Sequence, residues 1–335
     1  MDPLDLLLVG LAAGDSLGST SEFAGRGSIP SIYDRHREEG WPFRQVGGGS
    51  FGWRRGEPTD DSEMALCLYR SFRELGRFDG ADVARRFVEW MRRGPRDIGG
   101  TTSRTLGAIA RGTPWHEGAL GDYRSNPGNA ANGSVMRNGV VPGMCGALEE
   151  AYAISLLHGI MTHYAPLPVL CCAAQSYLIR ELIREPRLDE AWPATFAESF
   201  EAWLRGSDGL VRGWAEATAA HRPQALEAFL SADWNSFNPF EADFSVGMGY
   251  CLLTLKVAVW AARWSLHDEP FPVPAEFPAE VFAKRGPFVL GWVAMVGYDS
   301  DTYGATAGPL IAAAHRGLPE EMTDGLWVWK DVRGG

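Results

Sequence analysis

Apolar residues recur three and four apart along most of this chain, the period of an amphipathic helix. The spacing predicts helices over residues 4–17, 60–76, 80–93, 101–111, 148–160, 166–184, 190–204, 209–220, 223–231, 246–264, 278–296 and 302–316. No stretch offers a convincing series of alternating strands. Two Gly- and Pro-rich segments, 24–58 and 112–143, read as long loops. Loops of that length in a compact domain are often functional. Neither an internal repeat nor a low-complexity linker interrupts the pattern. The reading is one all-α domain over residues 1–335, with its long loops gathered at one end.

Composition narrows the class. An apolar content of 45% and a charged content of 22% fit an ordinary globular protein with a large core. The net charge of −11 argues against a general nucleic-acid or anionic-membrane binder, because both surfaces repel a net anion. Five cysteines, an odd number with no CxxC, read as buried free thiols in a reducing compartment. The start, Met1-Asp2-Pro3, lacks the basic region of a signal peptide, and the apolar run Leu6 to Ala13 is too short to span a bilayer. The expected location is the cytoplasm.

Two short acidic clusters stand out, Thr59-Asp60-Asp61 and Asp299-Ser300-Asp301-Thr302. Each opens a predicted helix. As plain helix starts, Asp60 would be an N-cap with Glu63 completing a capping box, and Asp299 or Asp301 would cap the later helix. A second carboxylate in each cluster exceeds what a cap requires. Paired carboxylates repel unless a cation or proton lies between them, and that cost arises twice here. Thr59, Asp60, Asp61, Asp299, Asp301 and Thr302 offer six hard oxygen donors, the chemistry of Mg²⁺ or Mn²⁺. No Cys/His spacing suggests zinc, and no calcium loop is present.

The other polar segments are weaker signals. Asn126-Pro-Gly-Asn129-Ala-Ala-Asn132-Gly133-Ser134-Val135-Met136-Arg137 has the residues of a phosphate-cradling loop, and equally of a plain Gly/Asn turn. Asp97, before Gly99-Gly100, is a candidate general base or a turn residue. His163 precedes a predicted helix, where a capping or packing role is the commoner case. Gly14-Asp15-Ser16-Leu17-Gly18 fits the nucleophile-elbow pattern and resembles the signature of GDSL serine esterases, but both need a preceding buried strand. Gly47-Gly-Gly49-Ser-Phe-Gly52 is a literal G-x-G-x-x-G with no strand before it, and reads as a flexible loop leading to Thr59.

Taken in order, these segments resemble the ADP-ribosylglycohydrolase family, which includes the dinitrogenase-reductase-activating glycohydrolases. Five blocks carry the resemblance: Gly14 to Gly18 with Glu22-Phe23, Pro58 to Asp61, Asp97 to Thr102, Asn132 to Arg137, and Asp299 to Thr302. The His163 block is a looser sixth. The resemblance implies an orthogonal helical bundle with two Mg²⁺ or Mn²⁺ ions at the base of a cleft. It implies that Thr59, Asp60, Asp61, Asp299, Asp301 and Thr302 are the ligands. Asn132, Gly133, Ser134, Val135, Met136 and Arg137, with Gly99, Gly100 and His163, would hold ADP-ribose. Asp97 and Glu22 would be the catalytic acids.

The implied reaction is hydrolysis of the ribosyl bond that joins ADP-ribose to a modified protein, most commonly at arginine, with ADP-ribose as product. No nucleic-acid or membrane partner is expected. A catalytically silent ADP-ribose binder, an antitoxin-type blocker of a transferase and a serine esterase are the alternatives. Several departures bear on specificity. Tyr298 and Tyr303 replace small residues beside the acidic block, which implies a narrower or reshaped cleft. Ser134-Val135 replace a common Gly-Ala. Residues 185–245 match least and are expected to tune the macromolecular substrate.

Overall fold

A computed structural model of the chain describes residues 1–244 and 247–334. They are helical throughout, and the described residues contain no strand beyond two isolated bridges, Gly48 to Trp53 and Ala131 to Tyr250. The N-terminal half runs α1 (Pro3–Gly18), α2 (Ile29–His36), α3 (Asp60–Leu75), α4 (Gly80–Arg92), α5 (Gly100–Ala110), α6 (Leu120–Ser125) and α7 (Val135–Asn138). The middle holds α8 (Leu148–Gly159), α9 (Pro166–Arg184), α10 (Trp192–Gly206), α11 (Gly209–Ala217) and α12 (Arg222–Leu230). The chain ends with α13 (Cys251–Leu266), α14 (Ala279–Ala283), α15 (Val289–Ala294), α16 (Ser300–His315), α17 (Glu320–Thr323) and α18 (Trp329–Arg333). Among the described residues, no helix is long and apolar enough to cross a membrane.

The centre of the fold is the antiparallel pair α1 and α16, both almost wholly buried. Their sequences dictate the contact. A Cβ on Gly14 would lie 1.9 Å from the Gly304 carbonyl oxygen, and one on Gly308 would lie 1.9 Å from that of Gly10. Gly18 meets the Ser300 carbonyl at 2.1 Å in the same way. Only backbone fits in this seam, so glycine at every fourth position sets how closely the helices cross. The crossing puts the C-terminal end of α1 against the first turn of α16. That brings residues 15–22 beside the acidic block at 299–302.

A second body of core lies under α9. There Trp192, Phe196 and Phe200 of α10 pack with Phe229 and Trp234, and the Trp192 and Trp234 rings stand 4.9 Å apart. The segment 185–245 thus has a well-packed aromatic seam of its own.

Several predicted boundaries shift for identifiable reasons. The single helix expected over 278–296 breaks into α14 and α15, because Gly286 has φ +60° and Pro287 follows it. The loops at 24–58 and 112–143 carry the short helices α2, α6 and α7. The helix expected over 246–264 starts at Cys251. The predicted start, residue 246, lies outside the described residues.

Candidate active site

The first turn of α3 departs from the capping scheme expected from sequence. Its N-cap is Thr59, in extended conformation, with a hydroxyl that accepts from the Asp61 amide at 3.4 Å and donates to Asp61 Oδ2 at 3.2 Å. Glu63 closes no capping box and instead accepts from Trp90 Nε1 at 2.6 Å. The main acceptor at this helix start comes from another helix. Asp15 of α1, fully buried, takes the Thr59 amide at 3.1 Å, the Ser62 amide at 3.2 Å and the Ser62 hydroxyl, all on Oδ2. An anion here also favours the helix dipole. With the cap supplied by Asp15, the Asp60 and Asp61 carboxylates are left for other work.

Asp299 is the N-cap residue of α16, yet its side chain makes no capping bond. It accepts instead from Asn132 Nδ2 at 2.6 Å, which ties the 132 loop to the acidic block. Ser300 turns away from the acids. Its hydroxyl donates to the Gly18 carbonyl at 2.9 Å and lies 3.0 Å from that of Ser21. Just before it, Tyr298 (φ 58°) and Phe23 (φ 62°) both occupy the left-handed region. They are held there by a pair of backbone bonds, Phe23 N–H to the Tyr298 oxygen at 2.6 Å and Tyr298 N–H to the Ala24 oxygen at 2.9 Å. Two residues in that region cost free energy that the surrounding structure must offset, as is common at functional sites. The stitch fixes Glu22 over the acids.

The two sequence-remote clusters therefore meet. The Thr302 hydroxyl lies against both the Asp61 and Asp299 carboxylates. Oxygens of Glu22, Asp97 and Asp301 all lie within 4.8 Å of one another. Glu22, Asp60, Asp97, Asp299, Asp301 and Thr302 wall a cleft of about 220 Å³, closed on its other sides by Gly99 to Thr102, Asn132, Gly133, His163 and the Met248-Gly249 segment.

Burial and mutual repulsion push the acids up. Asp60, Asp61 and Asp301 sit well above the usual carboxylate range, first from desolvation and then from one another and Asp97. Glu22 is pushed up to about 9 by burial and then by Asp97, Asp299 and Asp60. Asp15 is raised to about 7 by burial against its four hydrogen-bond contributions, and Asp299 to about 6 by burial, moderated by Asn132. Asp97 is raised by burial and held back by the Ile98 amide. Buried oxygens of Asp15, Glu22, Asp61 and Asp301 lack any hydrogen-bond partner among the described residues. An all-oxygen set of crowded, unpartnered carboxylates fits hard divalent cations. The cluster Glu22, Asp97 and Asp301 has the spacing to hold one.

The predicted substrate loop divides in two. Asn132, Gly133 and Met136 line the cleft, as do Gly99, Gly100 and His163. Ser134, Val135 and Arg137 lie outside that lining. Val135 and Ser134 are buried in the core behind the loop. The Arg137 guanidinium is wholly buried, donating to the Gly133 oxygen at 2.5 Å, the His158 oxygen at 3.0 Å and Thr162 Oγ1 at 2.6 Å, over the Phe87 ring. It shapes the loop from inside. Gly133 permits close approach, since a Cβ there would lie 2.9 Å from His163 Cε1.

His163 is neutral, its imidazole pushed down to about 3 by burial and then by Arg137. Its Nδ1 lies 2.9 Å from Thr162 Oγ1. That hydroxyl also accepts from Arg137, and the imidazole tautomer sets which of the two groups donates across the Thr162–His163 contact. The imidazole edge lies beside Gly133.

Tyr303 is fully buried behind the cleft and does not enter it. Its hydroxyl donates to the Met248 oxygen at 2.9 Å, pinning the segment that forms one wall. Phe244 stacks on Tyr298 at 4.0 Å on the same side. The serine-esterase alternative fails on geometry: Ser16 lies inside α1, and its buried hydroxyl has no partner among the described residues. The glycine loop at 47–52 is tied to the 19–22 segment, with Thr20 Oγ1 donating to the Gly47 oxygen at 3.0 Å, and leads into no helix. Asp15 is the residue that sequence reading missed as part of the site. The available signal was an acid in the last turns of the helix 4–17, within a run that is apolar from Leu6 to Gly14.

A family model described as ADP-ribosylglycohydrolase matches residues 7–333. This chain belongs to the ADP-ribosylglycohydrolase family. It is 33% identical over 178 residues to the ADP-ribosyl-(dinitrogen reductase) glycohydrolase of Rhodospirillum rubrum, a match covering 52% of this chain and 56% of that protein. It is 32% identical over 254 residues to the ADP-ribosylarginine hydrolase Tri1 of Pseudomonas putida (strain GB-1), covering 70% of this chain and 62% of that one. The chain thus spans less than two thirds of the length of these curated relatives. A solved structure titled ADP-ribosylglycohydrolase-related protein complex shares the fold over 99% of this chain and 95% of its own, with a TM-score of 0.61 and 24% identity.

Proposed function

We propose that this protein is a metal-dependent ADP-ribosylhydrolase that releases ADP-ribose from modified protein, with arginine-linked ADP-ribose as its substrate. The observation that carries this reading is the meeting of residues 59–61 and 299–302 in one buried, under-neutralised acidic centre beside Glu22 and Asp97. The names of two relatives, one an ADP-ribosylarginine hydrolase, support the linkage. The whole chain acts as one catalytic unit in this reading, because the cleft draws on residues from 22 to 302.

Thr59, Asp60, Asp61, Asp299, Asp301 and Thr302 would hold two Mg²⁺ or Mn²⁺ ions. When bound, such ions supply charge stabilisation and orientation of ribose hydroxyls and water. The chain's own groups divide the proton work. Glu22 and Asp97 face each other, and Glu22 is the more deeply buried of the two, so the shared environment drives their affinities for a proton apart. In this reading Glu22, the more deeply buried, is the acid for the leaving group. Asp97, half open and stabilised by the Ile98 amide, is the base for water. The neutral His163 imidazole and the Gly133 backbone would orient the ribose and its phosphates. Asn132, bound to Asp299 and to Thr254 Oγ1 at 2.9 Å, sets the loop against the acids.

The test is release of ADP-ribose from an arginine-ADP-ribosylated protein in Mg²⁺ or Mn²⁺, and its arrest by EDTA. Full activity in an Asp60→Ala/Asp301→Ala double variant would overturn the metal mechanism. Tight ADP-ribose binding with no hydrolysis of any linkage would make the protein a reader instead.

A further inference from the structure

A second cavity, larger than the catalytic cleft at about 420 Å³, lies between α3 and α4. That volume is within the range of small-molecule sites. Each helix contributes one stripe at helical spacing: Glu63, Leu66, Cys67 and Arg70 from α3, and Arg86, Glu89 and Trp90 from α4, continued by its C-cap residue Arg93. Val328 and Lys330 close it from the C-terminal segment. Leu66, Cys67, Trp90 and Val328 are all buried and give it an apolar floor.

Five cations and three carboxylates line it, and Asp331, Glu74 and Asp82 pair with lining cations from just outside. Three of the cations are engaged: Arg70 pairs with Asp331, Arg86 with Glu74 and Asp82, and Arg96 with Glu57. Arg93 and Lys330 make no ion pair among the described residues. Lys330 lies over the Trp327 ring at 5.6 Å. An apolar floor under two uncommitted cations matches a small molecule with a flat apolar body and an anionic head.

The cavity also shares its walls with the catalytic cleft. Glu57 and Pro58 line it, and Thr59 to Asp61 follow directly. Arg96 lines it, and Asp97 follows. The Glu57 carboxylate joins these two segments, accepting from the Arg54 amide at 2.8 Å and from Arg96. We propose that this cavity is an effector site for a planar organic anion, and that an occupant drawing Arg96 away from Glu57 displaces Asp97 and slows the hydrolase. The second half of the proposal rests on the hydrolase reading; the first does not.

The experiment titrates the full chain, loaded with Mn²⁺, with 2-naphthoate, phenyl phosphate and the neutral 2-naphthamide, by calorimetry and tryptophan fluorescence. We expect the anions to bind and the amide to bind at least about tenfold more weakly, a gap of about 1.4 kcal/mol. Arg93→Glu/Lys330→Glu, both on the surface, should weaken the anions by about tenfold or more. Leu66→Trp should fill the floor and do the same. ADP-ribose should not displace them. Equal binding of the amide, displacement by ADP-ribose, binding unchanged in the charge-reversal variant, or no binding of either anion at about 1 mM would overturn the site. In the activity arm, saturating 2-naphthoate should lower kcat in the wild type and not in the charge-reversal variant. Binding without any change in kcat overturns the coupling alone, and a chain with no hydrolase activity still gives a decisive binding result.

Discussion

Removing divalent cations should make the fold lose stability as pH rises, and restoring them should cancel that loss. The acids of the cleft bind protons more tightly in the folded chain than in the unfolded one. Such groups stabilise fully below their unfolded values, and the contribution disappears as pH climbs through the folded value. The window opens near the ordinary carboxylate range and extends through about 6 for Asp299, about 7 for Asp15 and about 9 for Glu22. Asp299 alone, moved from 3.8 to about 6, accounts for roughly 3 kcal/mol. His163, pushed down to about 3, acts in the opposite sense below its unfolded value, so the difference between chelated and loaded protein is the informative quantity.

The loaded arm can be sized as well. Cation at one hundred times its dissociation constant adds about 2.7 kcal/mol. For 335 residues, unfolding entropy near 2.1 cal/mol/K per residue makes this a rise of about 4 °C in Tm. Differential scanning calorimetry from roughly pH 5 to roughly pH 9, with EDTA or Mn²⁺, measures both. The gap between the two should widen steadily with pH. A chelated Tm that is flat or rising over that window, or a Mn²⁺ shift independent of pH, would refute the reasoning.

Other outcomes follow from single contacts. Asp15→Ala strands three donors at the start of α3, with charged bonds worth about 1.5–3 kcal/mol each. It should weaken Mn²⁺ binding by at least about tenfold in calorimetry although Asp15 is not proposed as a ligand. Gly304→Ala would place a Cβ 2.1 Å from the Gly14 oxygen. The helices must part, and urea unfolding should show a loss of about 1–3 kcal/mol or more, with Mn²⁺ affinity falling as well. Tyr303→Phe removes one hydrogen bond to Met248, near 1 kcal/mol. It should raise KM for the ADP-ribosylated substrate with little change in kcat.

The sequence made the helical class and both acidic clusters legible because each signal is local. Apolar spacing marks α3, α4, α9 and α16 to within a residue or two, and two adjacent carboxylates at a helix start are conspicuous wherever the helix goes. What stayed hidden depends on burial from outside the segment. Asp15 reads as a polar residue in an apolar helix until its partners at Thr59 and Ser62 are seen. Arg137 reads as the end of a phosphate-cradling loop, whereas the fold encloses it and directs its donors to carbonyls and Thr162. The break at Gly286-Pro287 was written in the chain, but the apolar period on both sides masked it.

Helix polarity explains why so many acids tolerate one cleft. Asp60 and Asp61 stand in the first turn of α3, Asp301 stands in that of α16, and Asp97 precedes the start of α5 at Gly100. The starts of all three helices open onto the same cleft and present the positive ends of their dipoles to it. The fixed charge at a helix end is about half a unit, so three ends offset little more than one carboxylate. Five acids line the cleft, and Asp61 lies just beneath them. The backbone can therefore gather these groups but cannot neutralise them, and the raised proton affinities express the remainder. Protons fill that deficit at low pH. At neutral pH, two divalent cations would supply four charges to a donor set made only of hard oxygens, closing the gap without altering any helix.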